Sequence, residues 1–188
     1  MEKVIFLDRD GTINVEKHYL YKKDDFEFLP RVFDGLKLLQ NMRFKLIIIT
    51  NQSGIARGYY TEDDYRQLSD WMLAQLTLQG IIIDALYYCP HHPEAKILKY
   101  RIDCDCRKPK LGLYELASKD FDVDFSKSFA IGDKIRDCVI CEVTACRGFL
   151  IGNNEETEVI EQVQKGMKHN VEYAIDLYAA AKKIVTMI

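Results

Sequence analysis

The sequence predicts an α/β protein built on a doubly wound, mostly parallel sheet. Three observations carry this prediction. Short, continuous apolar runs recur along the chain, helix-like stretches separate them, and several runs end in a carboxylate or hydroxyl residue. Strands that are apolar throughout, rather than alternating, are those covered by helices on both faces. In such sheets the ligand site lies beyond the carboxyl ends of the strands. Asp8, Thr50 and Asp133 each stand at such an end and would meet on one edge of the sheet.

The elements follow in order. Val4–Leu7 is a buried-strand pattern ending in Asp8. Arg31–Arg43 has apolar residues at Val32, Phe33, Leu36, Leu38, Leu39 and Met42, close to helical spacing. Leu46–Ile49 is a second β-rich run that ends at Thr50-Asn51. Glu62–Gln79 reads as a long amphipathic helix, with Thr61 as its N-cap and Gly80 as its stop. Ile81–Cys89 resumes strand character, and Leu113–Phe121 is helical. Phe129–Ile131 is a short strand leading into Gly132-Asp133. Ile135–Cys146 reads as a helix and Phe149–Ile151 as a strand. Glu155–Lys165 and Leu177–Met187 read as helices, the second capped by Asp176.

The chain of 188 residues fits one domain, with no linker, internal repeat or low-complexity tract. Apolar residues make up 48% and charged residues 29%, enough for a sizeable core and against disorder. The net charge of -3 gives no general pull toward nucleic acid or an anionic membrane. No apolar run exceeds five residues, far short of the ~18 that suggest a membrane span. The N-terminus enters Lys3-Val4-Ile5-Phe6-Leu7-Asp8 at once, without a signal-peptide pattern. These features predict a cytoplasmic protein whose six cysteines are reduced or metal-bound.

Chemistry concentrates at the strand ends. Asp8-Arg9-Asp10-Gly11-Thr12 sets two carboxylates at i and i+2, where the chain leaves the pleat and both can face one ligand. An aspartate can attack phosphorus, and paired carboxylates call for a divalent cation. An Asp-x-Asp-Gly turn alone occurs in many loops. Here Thr50-Asn51 adds a hydroxyl and backbone amides, Arg107-Lys108-Pro109 adds positive charge, and Gly132-Asp133-Lys134-Ile135-Arg136-Asp137 adds two more carboxylates. Nucleophile, metal site, cationic clamp and hydroxyl donor are the parts that phosphoryl transfer needs.

Cys89–Lys110 differs in composition. It holds three of the four prolines, three cysteines and two histidines. Cys89-x-His91 and Cys104-x-Cys106, joined by a short loop, can form a tetrahedral Cys₃His site, and soft thiolates favour zinc. Four protein ligands leave no open position, so such a zinc would be structural. His92 is an alternative to His91. Because Cys106 directly precedes Arg107-Lys108, fixing that thiolate would fix where the two cations point. Cys138, Cys141 and Cys146 read as core residues, Cys138-x-x-Cys141 lying inside an apolar helix rather than opening one.

Asp8–Thr12, Thr50, Lys108 and Gly132-Asp133…Asp137 resemble the four ordered motifs of the haloacid-dehalogenase superfamily phosphatases, over roughly residues 3–151. The resemblance implies a Rossmann-like domain and an aspartyl-phosphate mechanism. Asp8 would be the nucleophile and Asp10 the acid and base. Thr50 and Lys108 would stabilise the phosphoryl group. Asp8, the Asp10 carbonyl and Asp133 would hold Mg²⁺, and Asp137 would orient Lys134 or metal-bound water. The family pattern favours His91 over His92.

The loop at about 89–107 and the run Thr50–Gly58 resemble the subgroup that contains the heptose bisphosphate and histidinol-phosphate phosphatases, with the heptose enzymes matching better. That implies removal of the 7-phosphate from D-glycero-D-manno-heptose 1,7-bisphosphate, in nucleotide-activated heptose biosynthesis; the small loops suggest an open site without a large cap domain, and a monomer is expected. Glu16, Lys17, His18, Tyr19, Thr50, Asn51, Gln52, Ser53, Arg107, Lys108 and Lys134 would contact substrate by that resemblance. Arg57 is a further candidate for the distal phosphate, or else a solvated loop cation. The segment after Asp133 carries Ile135, Arg136, Cys138 and Glu142 where the family usually has a smaller, Ala/Gly-rich run. The alternatives are a histidinol-phosphate or other small phosphomonoesterase, a nucleic-acid 3′-phosphatase, and a zinc-stabilised binding module with no activity.

Overall fold

A computed structural model describes residues 1–152, 160, 161, 163 and 170–188. Six parallel strands form one sheet: β1 (Val4–Leu7), β2 (Lys45–Asn51), β3 (Ala85–Cys89), β4 (Phe129–Gly132), β5 (Arg147–Ile151) and β6 (Val171–Ala174). Their spatial order is β3-β2-β1-β4-β5-β6, every neighbouring pair parallel. The chain first winds outward from β1 to β3, then returns to β4 on the other side. The reversal opens a crevice between the ends of β1 and β4, where α/β sheets of this order bind ligands.

Among the described residues, the α-helices with defined bounds are α1 (Val32–Asn41), α2 (Ser53–Arg57), α3 (Glu62–Leu78), α4 (Gly112–Asp120), α5 (Ile140–Val143) and α6 (Leu177–Thr186). Alternate strand residues serve opposite faces of the sheet. Ile5, Leu7, Leu46, Ile48, Phe129 and Ile131 pack with Val32, Leu36 and Leu39 of α1, Met72 and Leu76 of α3, and Leu177, Ala180 and Ile184 of α6. Val4, Phe6, Ile47, Ile49 and Ala130 pack on the other face with Leu113, Tyr114 and Ala117 of α4. Burial on both faces is why the strands read as continuous apolar runs.

The predicted boundaries agree closely for β1, α1, α3, α4, β4 and α6. Thr61 accepts from the Asp64 backbone N–H while Asp64 caps in return, and Asp176 accepts from Ala179 N at 2.6 Å. Two predictions need correction. Ile81–Cys89 becomes strand only from Ala85, where pairing with β2 begins. The predicted helix Ile135–Cys146 is a 3₁₀ turn at Ile135–Cys138 followed by the short α5, which ends at Val143. Asp137 caps the start of this turn, its carboxylate accepting from Lys134 N at 3.0 Å. Strand β6 and helix α2 were not predicted. The predicted helix Glu155–Lys165 lies largely outside the described residues, of which Ile160, Glu161 and Val163 are helical. No helix among the described residues is long and apolar enough to cross a membrane.

Candidate active site

Asp8 leaves β1 at the crevice, and its N–H donates to Ile131 O of β4 at 3.0 Å. Asp133 follows β4 and Asp137 lies in the 3₁₀ turn beyond it. One carboxylate oxygen from each of the three lies within 4.8 Å of the others. Burial raises Asp8 to about 7: the Lys108 ammonium pulls it down, while Asp137 and Asp10 push it up. Burial, Asp8 and Asp137 raise Asp133 to about 8. Three buried carboxylates this close repel one another, and a hard divalent cation relieves that repulsion. The residue between them must also be small. Gly11 has φ +79°, and a Cβ there would collide with the Asp133 carboxylate. The donor set and its charge therefore suit Mg²⁺.

Lys108 is buried and points its Nζ at Asp8 Oδ1 (2.8 Å), Asp137 Oδ1 (2.7 Å) and Ile49 O (2.7 Å). Burial works against its charge, but the carboxylates of Asp137 and Asp8 outweigh burial and raise its pKa. Its backbone is held just as firmly. Lys108 N donates to Asn51 Oδ1 and Asn51 Nδ2 donates to Lys108 O, each at 3.0 Å. Asn51, expected to contact substrate, spends its side chain joining β2 to the loop that carries the lysine.

Asp10 is held by four donated hydrogen bonds: from Arg9 Nε (3.1 Å) and Nη2 (2.8 Å), Asn14 Nδ2 (3.0 Å) and Gln52 Nε2 (3.0 Å). Gln52 Nε2 also donates to Thr50 Oγ1 at 3.0 Å, and Tyr60 OH donates to Gln52 Oε1 at 2.6 Å. One amide thus orients both the second carboxylate and the hydroxyl. Arg9, Asn14 and Tyr60 are positioning residues that sequence reasoning missed. Tyr60 reads as a packing aromatic, and it does pack: its ring fills the space where a Cβ on Gly54 would stand. The Gly at 54, directly after the Thr50–Ser53 run, was the available signal.

A cleft of about 170 Å³ opens beside Asp10. Among the predicted substrate residues it is lined by Glu16, His18, Tyr19, Asn51, Gln52, Ser53 and Arg107. His18 and Tyr19 adopt φ of 44° and 63°, uncommon for non-glycine residues, and Glu16 Oε1 accepts from His18 N at 2.8 Å. Tyr19 packs on Tyr59 with ring centroids 4.4 Å apart. Lys17 lies elsewhere, 3.2 Å from Glu27. Lys134 Nζ is 4.0 Å from Asp133 Oδ2. Arg57 does not line the cleft: its Nη2 meets His92 Nε2 at 3.1 Å. Arg136, which the sequence reading noted only as a departure, does line it.

The second cluster lies behind Lys108. Cys89, His91, Cys104 and Cys106 each bring one ligand atom within 4.8 Å of the others. Cys106 Sγ is 3.1 Å from both Cys89 Sγ and Cys104 Sγ, and 3.4 Å from His91 Nδ1. Three thiols and an imidazole at such separations suit a soft, tetrahedral metal ion. His92 is turned away to Arg57. Cys138, Cys141 and Cys146 are buried apart from this cluster, and all six cysteines are unbridged. The sulfurs of Cys138 and Cys141 press on Gly148, where a Cβ would lie 3.0 and 3.1 Å from them.

Known proteins are similar to this chain in sequence and in fold. Residues 3–139 match the polynucleotide kinase 3 phosphatase family. A D-glycero-beta-D-manno-heptose-1,7-bisphosphate 7-phosphatase of Haemophilus influenzae is 48% identical over 137 residues, 73% of this chain and 74% of that protein. The Pasteurella multocida protein of the same name is 40% identical over 185 residues, 98% of this chain and 97% of the relative. The crystal structure of D,D-heptose 1,7-bisphosphate phosphatase from B. bronchiseptica, complexed with magnesium and phosphate, superimposes with a TM-score of 0.83 at 30% identity, covering 99% of each chain.

Proposed function

The chain belongs to the polynucleotide kinase 3 phosphatase family, and on that premise we propose that it is a magnesium-dependent phosphatase removing the 7-phosphate of D-glycero-β-D-manno-heptose 1,7-bisphosphate. The observation that carries the reading is the meeting of Asp8, Lys108 and Asp133 at the β1/β4 crevice, in a chain 40% identical along 98% of its length to a phosphatase of that specificity.

In this reading Asp8 attacks phosphorus and the bond from phosphorus to the sugar oxygen breaks. Asp10 gives that oxygen a proton, so the dephosphorylated sugar leaves and Asp8 carries the phosphoryl group. Asp10 then takes a proton from water as the water oxygen attacks phosphorus, releasing phosphate and free Asp8. Thr50 and Lys108 hold the phosphoryl oxygens, Lys108 from its place between Asp8 and Asp137. Magnesium held by Asp8, Asp133 and the Asp10 carbonyl would neutralise charge developing on those oxygens. Asp137 positions Lys108 through one oxygen and the Lys134 backbone through the other. Glu16, His18, Tyr19, Ser53 and Arg107 would meet the sugar and its distal phosphate.

We assign structural zinc to Cys89, His91, Cys104 and Cys106, about one ion per chain for a four-ligand set. The enzyme is placed in the cytoplasm as a monomer with a single domain, acting in nucleotide-activated heptose biosynthesis.

A panel of phosphate esters with Mg²⁺ tests the substrate. The heptose bisphosphate should be preferred, and turnover of histidinol phosphate or of a 3′-phosphorylated oligonucleotide far above it would sink the assignment. Asp8→Asn should abolish phosphate release while the protein stays folded. Undiminished release would remove the covalent mechanism, and a wild-type protein inert on every ester would leave a binding module.

A further inference from the structure

The cleft holds more positive charge than the chemistry at Asp8 uses. Its charged lining is Arg9, Asp10, Glu16, Arg107 and Arg136, besides His18. Arg9 is committed to Asp10 through two hydrogen bonds. Glu16 accepts from its own turn. Arg107 makes one long bond, 3.4 Å from Nη1 to His91 O, and no ion pair within 4 Å among the described residues. Arg136 has no carboxylate within 4 Å among the described residues either. It stands close enough to act electrostatically on both Arg107 and Asp133.

Two guanidinium groups sharing one cleft, neither with a carboxylate within 4 Å among the described residues, repel each other. That costs the free protein stability and is relieved when a dianion sits between them. A guanidinium also presents paired N–H donors that match phosphate oxygens. Arg57, the other candidate for such a role, is turned to His92 instead. We propose that Arg136 pairs with Arg107 as a clamp on the phosphate that is not hydrolysed, making Arg136 a specificity residue for bisphosphates over monophosphates. This rests on the phosphatase reading above and adds a residue to the same site.

The placement follows from the turn. The 3₁₀ turn Ile135–Cys138, capped at its start by Asp137, carries the exposed Arg136 in the lining of the cleft. Its side chain is free to close on a ligand. A clamp of this kind acts on binding, because the distal phosphate undergoes no change in charge during the reaction, and so affects KM more than kcat.

Steady-state kinetics of Arg136→Ala on the heptose 1,7-bisphosphate and on heptose 7-phosphate test the clamp. Losing one charged contact should raise KM for the bisphosphate about tenfold, with kcat within roughly twofold. The bisphosphate-to-monophosphate ratio of kcat/KM should fall by about the same factor. Arg136→Lys should recover part of the loss, and Arg136→Glu should deepen it. An unchanged ratio, or an equal loss on both esters, overturns the proposal and leaves Arg136 a solvated cation. Should the wild-type enzyme ignore the heptose bisphosphate, the substrate reading fails by itself. The clamp is then judged on the same ratio for fructose 1,6-bisphosphate against fructose 6-phosphate, with the same two outcomes.

Discussion

Tyr60 shows how a residue away from the reacting atoms can set their geometry. Its hydroxyl fixes Gln52, whose single amide nitrogen serves both Asp10 and Thr50. Tyr60→Phe keeps the ring against Gly54 and removes only the donor to a buried acceptor. Leaving that acceptor unpaired costs ~1–3 kcal/mol. If part of this is felt as misplacement of Asp10 and Thr50, kcat should fall roughly three- to tenfold with KM little changed. Parallel losses in Gln52→Ala and Tyr60→Phe would place them in one chain, while a change in KM alone would assign Tyr60 to substrate contact. The sequence exposed Asp8, Asp10, Thr50, Lys108 and Asp133 because each follows an apolar strand or a charged loop motif. It did not expose the roles of Asn51 and Gln52, because their partners are distant in sequence: Lys108 for Asn51, and Asp10 for Gln52. Those pairings are made by the fold and leave no local pattern.

The elements that could be read from sequence are those whose signals are local. Thr61 before Glu62–Gln79, and Asp176 before an apolar run, marked two helix starts that the hydrogen bonds reproduce. The division of Ile135–Cys146 into a 3₁₀ turn and a short α-helix could not be read, because apolar spacing over so few residues does not separate the two. Strand β6 was equally hidden: Val-Glu-Tyr-Ala is short, stands at the sheet edge and buries only its two end residues fully. The cysteine–histidine loop is the element whose order depends on chemistry. It supplies Arg107 and Lys108, and few apolar residues hold it down. Removing its metal should therefore loosen both the loop and the lysine. Treatment with a zinc chelator in excess magnesium should lower Tm by several degrees, ~2–4 °C for each kcal/mol lost, and phosphatase activity should fall in step. Readdition of zinc should restore both. A chelated protein with unchanged Tm and full turnover would show that the four ligands order the loop without a metal.

At the scale of the whole molecule, the winding of the sheet creates the site and its main electrostatic conflict together. The order β3-β2-β1-β4-β5-β6 sets the ends of β1 and β4 side by side, so Asp8 and Asp133 are buried within reach of one another and of Asp137. Adjacency of the apolar runs was implied by their pattern, but only the assembled sheet shows how strongly the carboxylates conflict. In magnesium-free protein Asp8 is raised to about 7 and Asp133 to about 8, chiefly by burial. An unfolded aspartate titrates near ~3.9. Between those values the folded state binds more protons than the unfolded state, so the slope of unfolding free energy with pH is negative. The contribution of these two groups is fully present below about pH 4 and is lost as pH rises toward 8. Magnesium should reverse the trend, since it binds the ionised carboxylates and competes with their protons. The increase in Tm on adding saturating Mg²⁺ should thus be larger at pH 8 than at pH 6, and the apparent magnesium affinity should weaken as pH falls. Differential scanning fluorimetry at a series of pH values, with zinc retained, measures both. Asp133→Asn should flatten the magnesium-free pH profile and suppress the magnesium-dependent rise, whereas a profile identical to wild type would mean that these carboxylates are not the groups in conflict.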